Sequence, residues 1–477
     1  MEREKKLAKN IVIFAIGSFS SKLLQFLLIP FYTRVLSNSE YGTIDILQNI
    51  ATLLIPIISL TISEAVFRYA MDKNSNKKEV LSIGIIISII GTVAILIISA
   101  IIFKITQYEY VLVLAFYIIT NIIRTIISQF TRAINRVAMY TADNVLNVLI
   151  TVLCNILFLT VLHLGINGYL MGYIVGNSVS IAFLFITIKI HKYISFKEIK
   201  KDTVKGMLRF SIPLIPNSIC WWITNFTDRV MIIAFYGTAE NGLYAVSHKI
   251  PTVVTIVVDV FFQAWQISAN KEFDQKDISN FYSNIFKYLF AFVFVICATI
   301  MSFSQIITKI IVGQEFIESW KYMPTILLGT AFFTMAQYLG SVYTASKNTK
   351  MAFVTNITAA ILNIFLNIVF LKYIGTIGAA VATAICYLFL WIYRMKNTKK
   401  IVNIQYDIPR IISTVLLLII NSVIVTTQIT FWYIYTTIII LLIIAINREC
   451  IINLIKTTVT LIKEKTLIKK KVWIKWI

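Results

Sequence analysis

Four basic residues interrupt long apolar stretches of the sequence. A Lys or Arg at mid-bilayer costs roughly 2.5–3.5 kcal/mol on membrane-insertion scales, so each needs a partner or a task. A cation shielded from water is suited to holding phosphate oxygens, which Arg grips through two parallel hydrogen bonds. The pattern predicts a cationic cavity for an anionic substrate. The four candidate substrate-binding residues are Lys22, Arg124, Arg229 and Lys249.

Three acidic residues in the same stretches, Asp45, Asp228 and Asp259, leave two interpretations open. They could pair with the bases, or they could couple transport to H⁺ or Na⁺. The candidate pairs are Asp45 with Arg34, and Asp228 or Asp259 with Arg229 or Lys249. The acids are too few to neutralise every base and also form a carboxylate-rich cation site, so we expect the cavity to remain cationic.

The elements that position these residues are membrane helices. Of the 477 residues, 58% are hydrophobic and 14% charged, whereas soluble domains average about 45–50% and about 25%. Apolar runs of about 20 residues recur along the chain, and each is long enough to cross a bilayer. We predict an all-α polytopic membrane protein with fourteen spans. The predicted spans are 10–30, 42–66, 80–103, 110–131, 144–162, 167–189, 209–236, 242–269, 284–304, 322–345, 351–371, 377–394, 409–428 and 430–447.

The basic residues also predict the orientation of the chain. With the N-terminus inside, the cytoplasmic segments hold 35 of the 44 Lys and Arg residues and the outer loops hold 5. This asymmetry follows the positive-inside rule and accounts for the net charge of +22 without a nucleic-acid partner. It predicts both termini in the cytoplasm. The basic segment after Asn447 is expected to lie on anionic membrane lipids.

An internal repeat predicts two lobes. Glu40-Tyr41-Gly42 recurs as Glu240-Asn241-Gly242, and Asn155-Ile156-Leu157-Phe158-Leu159 recurs as Asn367-Ile368-Val369-Phe370-Leu371. Each copy contains six spans, so both copies have the same orientation, as in transporters with parallel repeats. The predicted parts are an N-terminal lobe at 1–190, a basic linker at 191–208, a C-terminal lobe at 209–396, a helix pair at 397–447 and a basic tail at 448–477.

The remaining reactive residue types predict no metal or cofactor chemistry. The five cysteines are scattered without a CxxC motif, and the three histidines have no metal-ligand spacing. All loops are short, so none is expected to form a catalytic domain. The basic N-terminus leads into an apolar run without a signal-peptide cleavage site, which predicts an uncleaved first span.

Three sequence motifs resemble one family of membrane transporters. They are Ile29-Pro30-Phe31-Tyr32-Thr33-Arg34-Val35-Leu36 before Glu40-Tyr41-Gly42, then Thr227-Asp228-Arg229 before Gly242-Leu243-Tyr244, and Asn363 and Asn367 before Gly375 and Gly378-Ala379-Ala380-Val381-Ala382-Thr383. In this order and spacing they resemble Wzx-type polysaccharide flippases, which move O-antigen or capsule repeat units and belong to the MATE-like MOP superfamily.

The resemblance implies a function and a location. Members translocate undecaprenyl-pyrophosphate-linked oligosaccharides to the outer leaflet of the bacterial inner or plasma membrane by alternating access between two lobes. The implied partners include the polysaccharide polymerase and chain-length machinery. An inside-negative membrane potential favours expulsion of a pyrophosphate, by roughly 2.3 kcal/mol per charge per 100 mV. The four cationic residues are then phosphate or sugar contacts, and Asp259 is a candidate for ion coupling or for positioning Lys249.

Three alternatives stay open at this stage. A MATE-type multidrug exporter shares the fold but usually needs membrane carboxylates for cationic drugs. A peptidoglycan lipid II flippase also has a cationic cavity and is separated only by the motifs above. A membrane glycan polymerase, the alternative from another class, is expected to have a large outer loop with clustered polar residues, and every outer loop here is short.

Overall fold

The computed structural model describes residues 26–453 and 456, apart from 73–74, 273–276 and 347–348. This part of the chain folds into α-helices joined by short loops and 3₁₀ turns, and it contains no β-strand. The helices are α1 Ile29–Val35, α2 Asn38–Ile58, α3 Ile62–Ala70, α4 Lys77–Thr106, α5 Tyr110–Ala133, α6 Val137–Ile156, α7 Gly165–Ile188, α8 Lys201–Ser211, α9 Leu214–Tyr236, α10 Thr238–Ser247, α11 Lys249–Glu272, α12 Ile278–Ser302, α13 Ser304–Ile311, α14 Met323–Ala345, α15 Thr349–Ile374, α16 Ile377–Thr398, α17 Ile408–Thr427 and α18 Trp432–Ile446.

Eleven of the fourteen predicted spans match helical segments that are long and apolar enough to cross a membrane. The other three differ for separate reasons. Most of the first predicted span lies outside the described residues. Helix α9 has the length but a more polar composition, and α18 is apolar but only 15 residues long. The predicted all-α polytopic membrane fold is therefore confirmed.

The predicted span at 42–66 is wrong in its boundaries, because two helices replace it. Helix α2 begins earlier, where the Ser37 side chain and Glu40 form a reciprocal capping box. It ends at Ile58, and the chain then passes through left-handed conformations at Leu60 and Thr61 (φ 51° and 47°) before α3 begins. The Thr61 hydroxyl donates to the Ser211 carbonyl at 2.6 Å, which holds this break in place.

The predicted span at 242–269 is likewise divided. Helix α10 ends at Ser247 and α11 begins at Lys249. Pro251 lies in the first turn of α11 and has no N–H to donate to the carbonyl four residues before it. A proline is tolerated in the first turn of a helix, so the sequence favours a new helix at this point over a continuous one.

The described chain divides into two compact units. Unit 1 comprises the chain up to Val246 together with Ile311–Phe316, and unit 2 comprises Ser247–Ile310 and the chain from Ile317 onward. The predicted lobe boundary at the 191–208 linker stays a prediction. In unit 1, Ile, Leu and Val side chains from α3, α4 and α5 form a buried core. The core of unit 2 is aromatic, with Phe290 stacked on Phe294 at 4.1 Å and Trp391 against Phe332 at 5.9 Å.

Candidate functional site

Two glycines allow helices α2 and α10 to pack backbone against backbone in unit 1. A Cβ atom on Gly42 would overlap the Thr238 carbonyl, and one on Gly242 would overlap the Asn38 carbonyl. The Ser39 and Thr238 hydroxyls share a hydrogen bond of 2.8 Å at the same place. Gly42 and Gly242 are 200 residues apart in the sequence, and so are Asn38 and Thr238. The contact is therefore formed by equivalent residues from the two copies of the repeat.

An ion pair lies one turn further along α2 from this contact. The Arg229 guanidinium from α9 donates to the Asp45 carboxylate, which is 7% exposed. Asn49 on the next turn of α2 donates to the same carboxylate at 3.0 Å, and the Asn241 amide contacts it at 3.4 Å. The Arg229 charge also lies 5.5 Å from the centre of the Phe226 ring, within cation–π distance.

Asp228 occupies a separate buried position beside this pair. Its carboxylate accepts hydrogen bonds from the Tyr244 hydroxyl at 2.6 Å and from the Arg229 backbone N–H at 3.0 Å. The predicted partner of Asp45 was wrong, because Arg229 takes that role and Arg34 is exposed. Sequence separation explains the error, since the paired residues are 184 positions apart and meet only through helix packing.

Arg124 lies at the centre of a second buried cluster in unit 1. Its guanidinium donates to Asp143 and Asn144 on α6, each at 2.9 Å, and to the Ser180 hydroxyl on α7 at 2.8 Å. Asp143 is fully buried and also accepts from the Ser180 and Ser128 hydroxyls. We refer to Arg124, Ser128, Asp143, Asn144 and Ser180 as node 1.

A third cluster lies in unit 2 and contains none of the candidate site residues predicted from the sequence. Arg394 on α16 is 6% exposed, and its guanidinium donates to the Ala336 carbonyl at 2.7 Å, to the Thr355 hydroxyl at 3.1 Å and to the Asn356 amide oxygen at 2.8 Å. Gly340 provides the space for the guanidinium, because a Cβ there would meet Nη1. We refer to Arg394, Ala336, Gly340, Thr355 and Asn356 as node 2.

Asp143 and Arg394 both lie at the edge of a predicted span. The predicted span at 144–162 begins one residue after Asp143, and the span at 377–394 ends at Arg394, so the predicted boundaries assign both residues to cytoplasmic segments. The sequence does contain a signal for Asp143, because it lies four residues before Asn147 and therefore on the same face of a helix. In unit 1, Arg124 and Arg229 each pair with an aspartate, and the expectation that the acids are too few to neutralise every base and also form a cation site stays a prediction.

The other two candidate bases are placed differently. Lys22 lies outside the described residues. Lys249, at the start of α11, and Asp259, on the same helix, belong to unit 2 and are half-buried. The structure therefore places Arg124, Arg229, Asp45 and Asp228 in unit 1 but in two separate clusters, and it places Lys249 and Asp259 in the other unit. Within the described part of the chain, no group of three His, Cys, Asp or Glu side chains could hold a metal ion.

Comparison with solved structures identifies the fold. The fold matches the lipid II flippase MurJ in an inward closed conformation with a TM-score of 0.67 and 17% identity, over 92% of this chain and 98% of that one. It also matches an inward-facing MATE family multidrug resistance transporter of the MOP superfamily with a TM-score of 0.61 and 14% identity, over 82% of this chain and 94% of the other. The chain therefore has the all-helical transporter fold that these two structures share.

Sequence comparison then gives the family. Residues 7–267 match the model of the family described as polysaccharide biosynthesis protein, and the chain belongs to this family. The "probable low-salt glycan biosynthesis flippase Agl15" of Haloferax volcanii is 23% identical over 85% of this chain and 86% of its own length. A stretch of 64 residues is 39% identical to an lsg-locus protein of Haemophilus influenzae, which is 13% of this chain and 16% of that protein. The predicted resemblance to polysaccharide flippases, as opposed to membrane enzymes, is confirmed.

Proposed function

We propose that this protein translocates undecaprenyl-pyrophosphate-linked oligosaccharide repeat units from the cytoplasmic to the outer leaflet of a bacterial plasma membrane. The match of residues 7–267 to the polysaccharide biosynthesis family is the observation that carries the proposal. The excess of basic residues in alternate loops supports an orientation with both termini in the cytoplasm. The polysaccharide polymerase and chain-length proteins are the partners to which the units would be delivered.

The contact between α2 and α10 supports a mechanism of alternating access. With this orientation, the Gly42–Gly242 contact lies at the outer ends of the two helices, and the Asp45–Arg229 pair lies one turn deeper. Close backbone packing and an ion pair both exclude water from that end of unit 1. We propose that these four residues form an outer gate that separates when the substrate headgroup is released outward.

The four bases receive different roles in this mechanism. Lys22 and Lys249 are proposed as contacts for the pyrophosphate or the sugars. Arg229 is proposed to exchange its Asp45 partner for substrate phosphate as the gate opens. Arg124 is proposed as a positioning residue, because Asp143, Asn144 and Ser180 already occupy its guanidinium. Asp259 and Asp228 remain proposals for ion coupling, with the membrane potential as the alternative driving force.

Gene deletion tests the proposed function. We expect surface polysaccharide to disappear and lipid-linked repeat units to accumulate in the cytoplasmic leaflet, and the wild-type gene to reverse both effects. Unchanged surface glycan combined with increased sensitivity to cationic drugs would favour an exporter instead. Accumulation of lipid II and cell lysis would favour the peptidoglycan precursor as the substrate.

A pair of lysine variants sharpens this test. We expect Lys249→Ala to reduce complementation at least about tenfold, since one lost charged contact to phosphate is worth roughly 1.5–3 kcal/mol. Lys372→Ala is the matched control, because Lys372 is exposed at the end of α15. Surface glycan measured at equal protein abundance gives the comparison. Equal complementation by the two variants would remove Lys249 from the proposed site.

A further inference from the structure

Arg394 is a buried cation whose observed partners are all neutral. Its contacts in node 2 are one carbonyl, one hydroxyl and one amide oxygen, together with the ring of Tyr343 at 5.9 Å. Within the described residues no carboxylate lies within ion-pair distance of its guanidinium. Neutral dipoles therefore stabilise the positive charge of node 2, and no described carboxylate neutralises it.

The internal repeat shows that this lack of a carboxylate is specific to unit 2. The repeated segments at Asn155 and Asn367 are offset by 212 residues. The same offset relates Asp143 and Asn144 of node 1 to Thr355 and Asn356 of node 2. Equivalent positions on equivalent helices thus surround a guanidinium in both units, but only node 1 includes an acid.

Two further positions of the nodes follow the same offset. Arg124 corresponds to Ala336, whose carbonyl accepts from Arg394, and Ser128 corresponds to Gly340, which leaves room for the guanidinium. Four positions therefore correspond between the nodes, while the arginine comes from a different helix in each unit. A buried charge without a counter-charge is costly in a membrane and is usually retained for function.

We propose that Arg394 is a positioning residue that attracts the anionic headgroup of the substrate to the cytoplasmic end of unit 2. This inference rests on the proposed function and its orientation, which place the C-terminal end of α16 at the cytoplasmic side. Lipid-linked pyrophosphate is loaded from that side. A fixed positive charge in a site of low dielectric raises the local concentration of anions without touching them. Node 1 contributes no comparable field because Asp143 cancels its charge.

The isosteric substitution Asn356→Asp tests the inference, because it places a carboxylate where the amide oxygen already accepts from Arg394. The assay is translocation in proteoliposomes with two glycan lipids, one linked through pyrophosphate and one through monophosphate. At an effective dielectric constant of about 20, a unit charge about 12 Å away changes binding roughly tenfold. We expect the half-saturating concentration of the monophosphate-linked lipid, with one negative charge, to rise about tenfold, and that of the pyrophosphate-linked lipid, with two, to rise about a hundredfold, while both maximal rates stay within about twofold.

Two further variants separate charge from structure. Asn356→Ser changes the contact without adding an acid, and Arg394→Lys keeps the charge but loses the planar fork, so both should keep the wild-type preference for pyrophosphate. Thr355→Asp, at the position equivalent to Asp143, should reproduce the effect of Asn356→Asp. A folded acid variant with the wild-type preference would overturn the inference, as would failure of both acid variants to fold. Absence of translocation by the wild-type protein would instead contradict the proposed function.

Discussion

Node 1 and node 2 hold a guanidinium between equivalent helices but balance its charge differently. In node 1, Arg124 from α5 meets Asp143, and the cluster is neutral. In node 2, Arg394 from α16 meets Ala336, Thr355 and Asn356, and the cluster keeps its positive charge. The repeat therefore conserves a geometry that binds guanidinium and varies the electrostatics within it.

The difference indicates a division of roles between the two units. The neutral node 1 and the Asp45–Arg229 pair give unit 1 buried ion pairs, whose main effect is to fix helix positions. Truncation of one partner of such a pair is strongly destabilising because the other charge is left buried. Unit 2 retains a cation that no described acid neutralises, which is the electrostatic property that an anionic substrate requires.

The largest expected effect comes from removal of Arg124, and removal of Arg394 provides the comparison. Arg124→Met leaves Asp143 buried without its cation, so we expect the free energy of unfolding to fall by about 3–5 kcal/mol. Arg394→Met leaves only neutral acceptors, and we expect a loss of about 1–3 kcal/mol. Thermal or denaturant unfolding in detergent measures both values. The double variant Arg124→Met/Asp143→Leu should recover most of the loss, and equal losses for the two single variants would remove the distinction between the nodes.

An intermediate effect is expected from removal of one hydroxyl at each node. Thr355→Val removes the acceptor of two Arg394 N–H groups, at 3.2 and 3.1 Å, and we expect a loss of about 1.5–3 kcal/mol. Ser180→Ala removes one partner of Arg124 but leaves its ion pair with Asp143, so a loss of about 1 kcal/mol is expected. The same unfolding measurement compares them. A larger loss for Ser180→Ala would show that node 1 depends more on its hydroxyls than on its ion pair.

The smallest effect is expected at an ion pair whose side chains are exposed. Lys78 and Glu198 are 4.0 Å apart, with side chains that are 51% and 38% exposed. Solvent and salt screen such pairs, and we expect Lys78→Ala to change the free energy of unfolding by less than about 0.5 kcal/mol. This variant sets the baseline for the node variants. A loss comparable to that of Arg124→Met would mean that burial does not govern these interactions.

Hydropathy was sufficient to predict the membrane helices, because a bilayer demands long apolar segments. It also identified Arg124 and Arg229 as residues in need of partners. It failed for Asp143 and Arg394, since hydropathy locates a residue near the edge of a span but does not show whether neighbouring helices cover it. The Asp45–Arg229 pair could not be predicted from hydropathy either, because its partners lie on helices that are distant in sequence and meet only when these helices pack.

Direct measurement of lipid translocation tests the central claim. The purified protein would be reconstituted in vesicles with an undecaprenyl-pyrophosphate-linked glycan whose outer-leaflet fraction is followed with an impermeant glycosidase or lectin. We predict that the glycan becomes accessible only in vesicles that contain the protein, and more slowly with Asn356→Asp at low substrate concentration. Vesicles with folded wild-type protein in which the glycan stays as inaccessible as in protein-free vesicles would contradict the account.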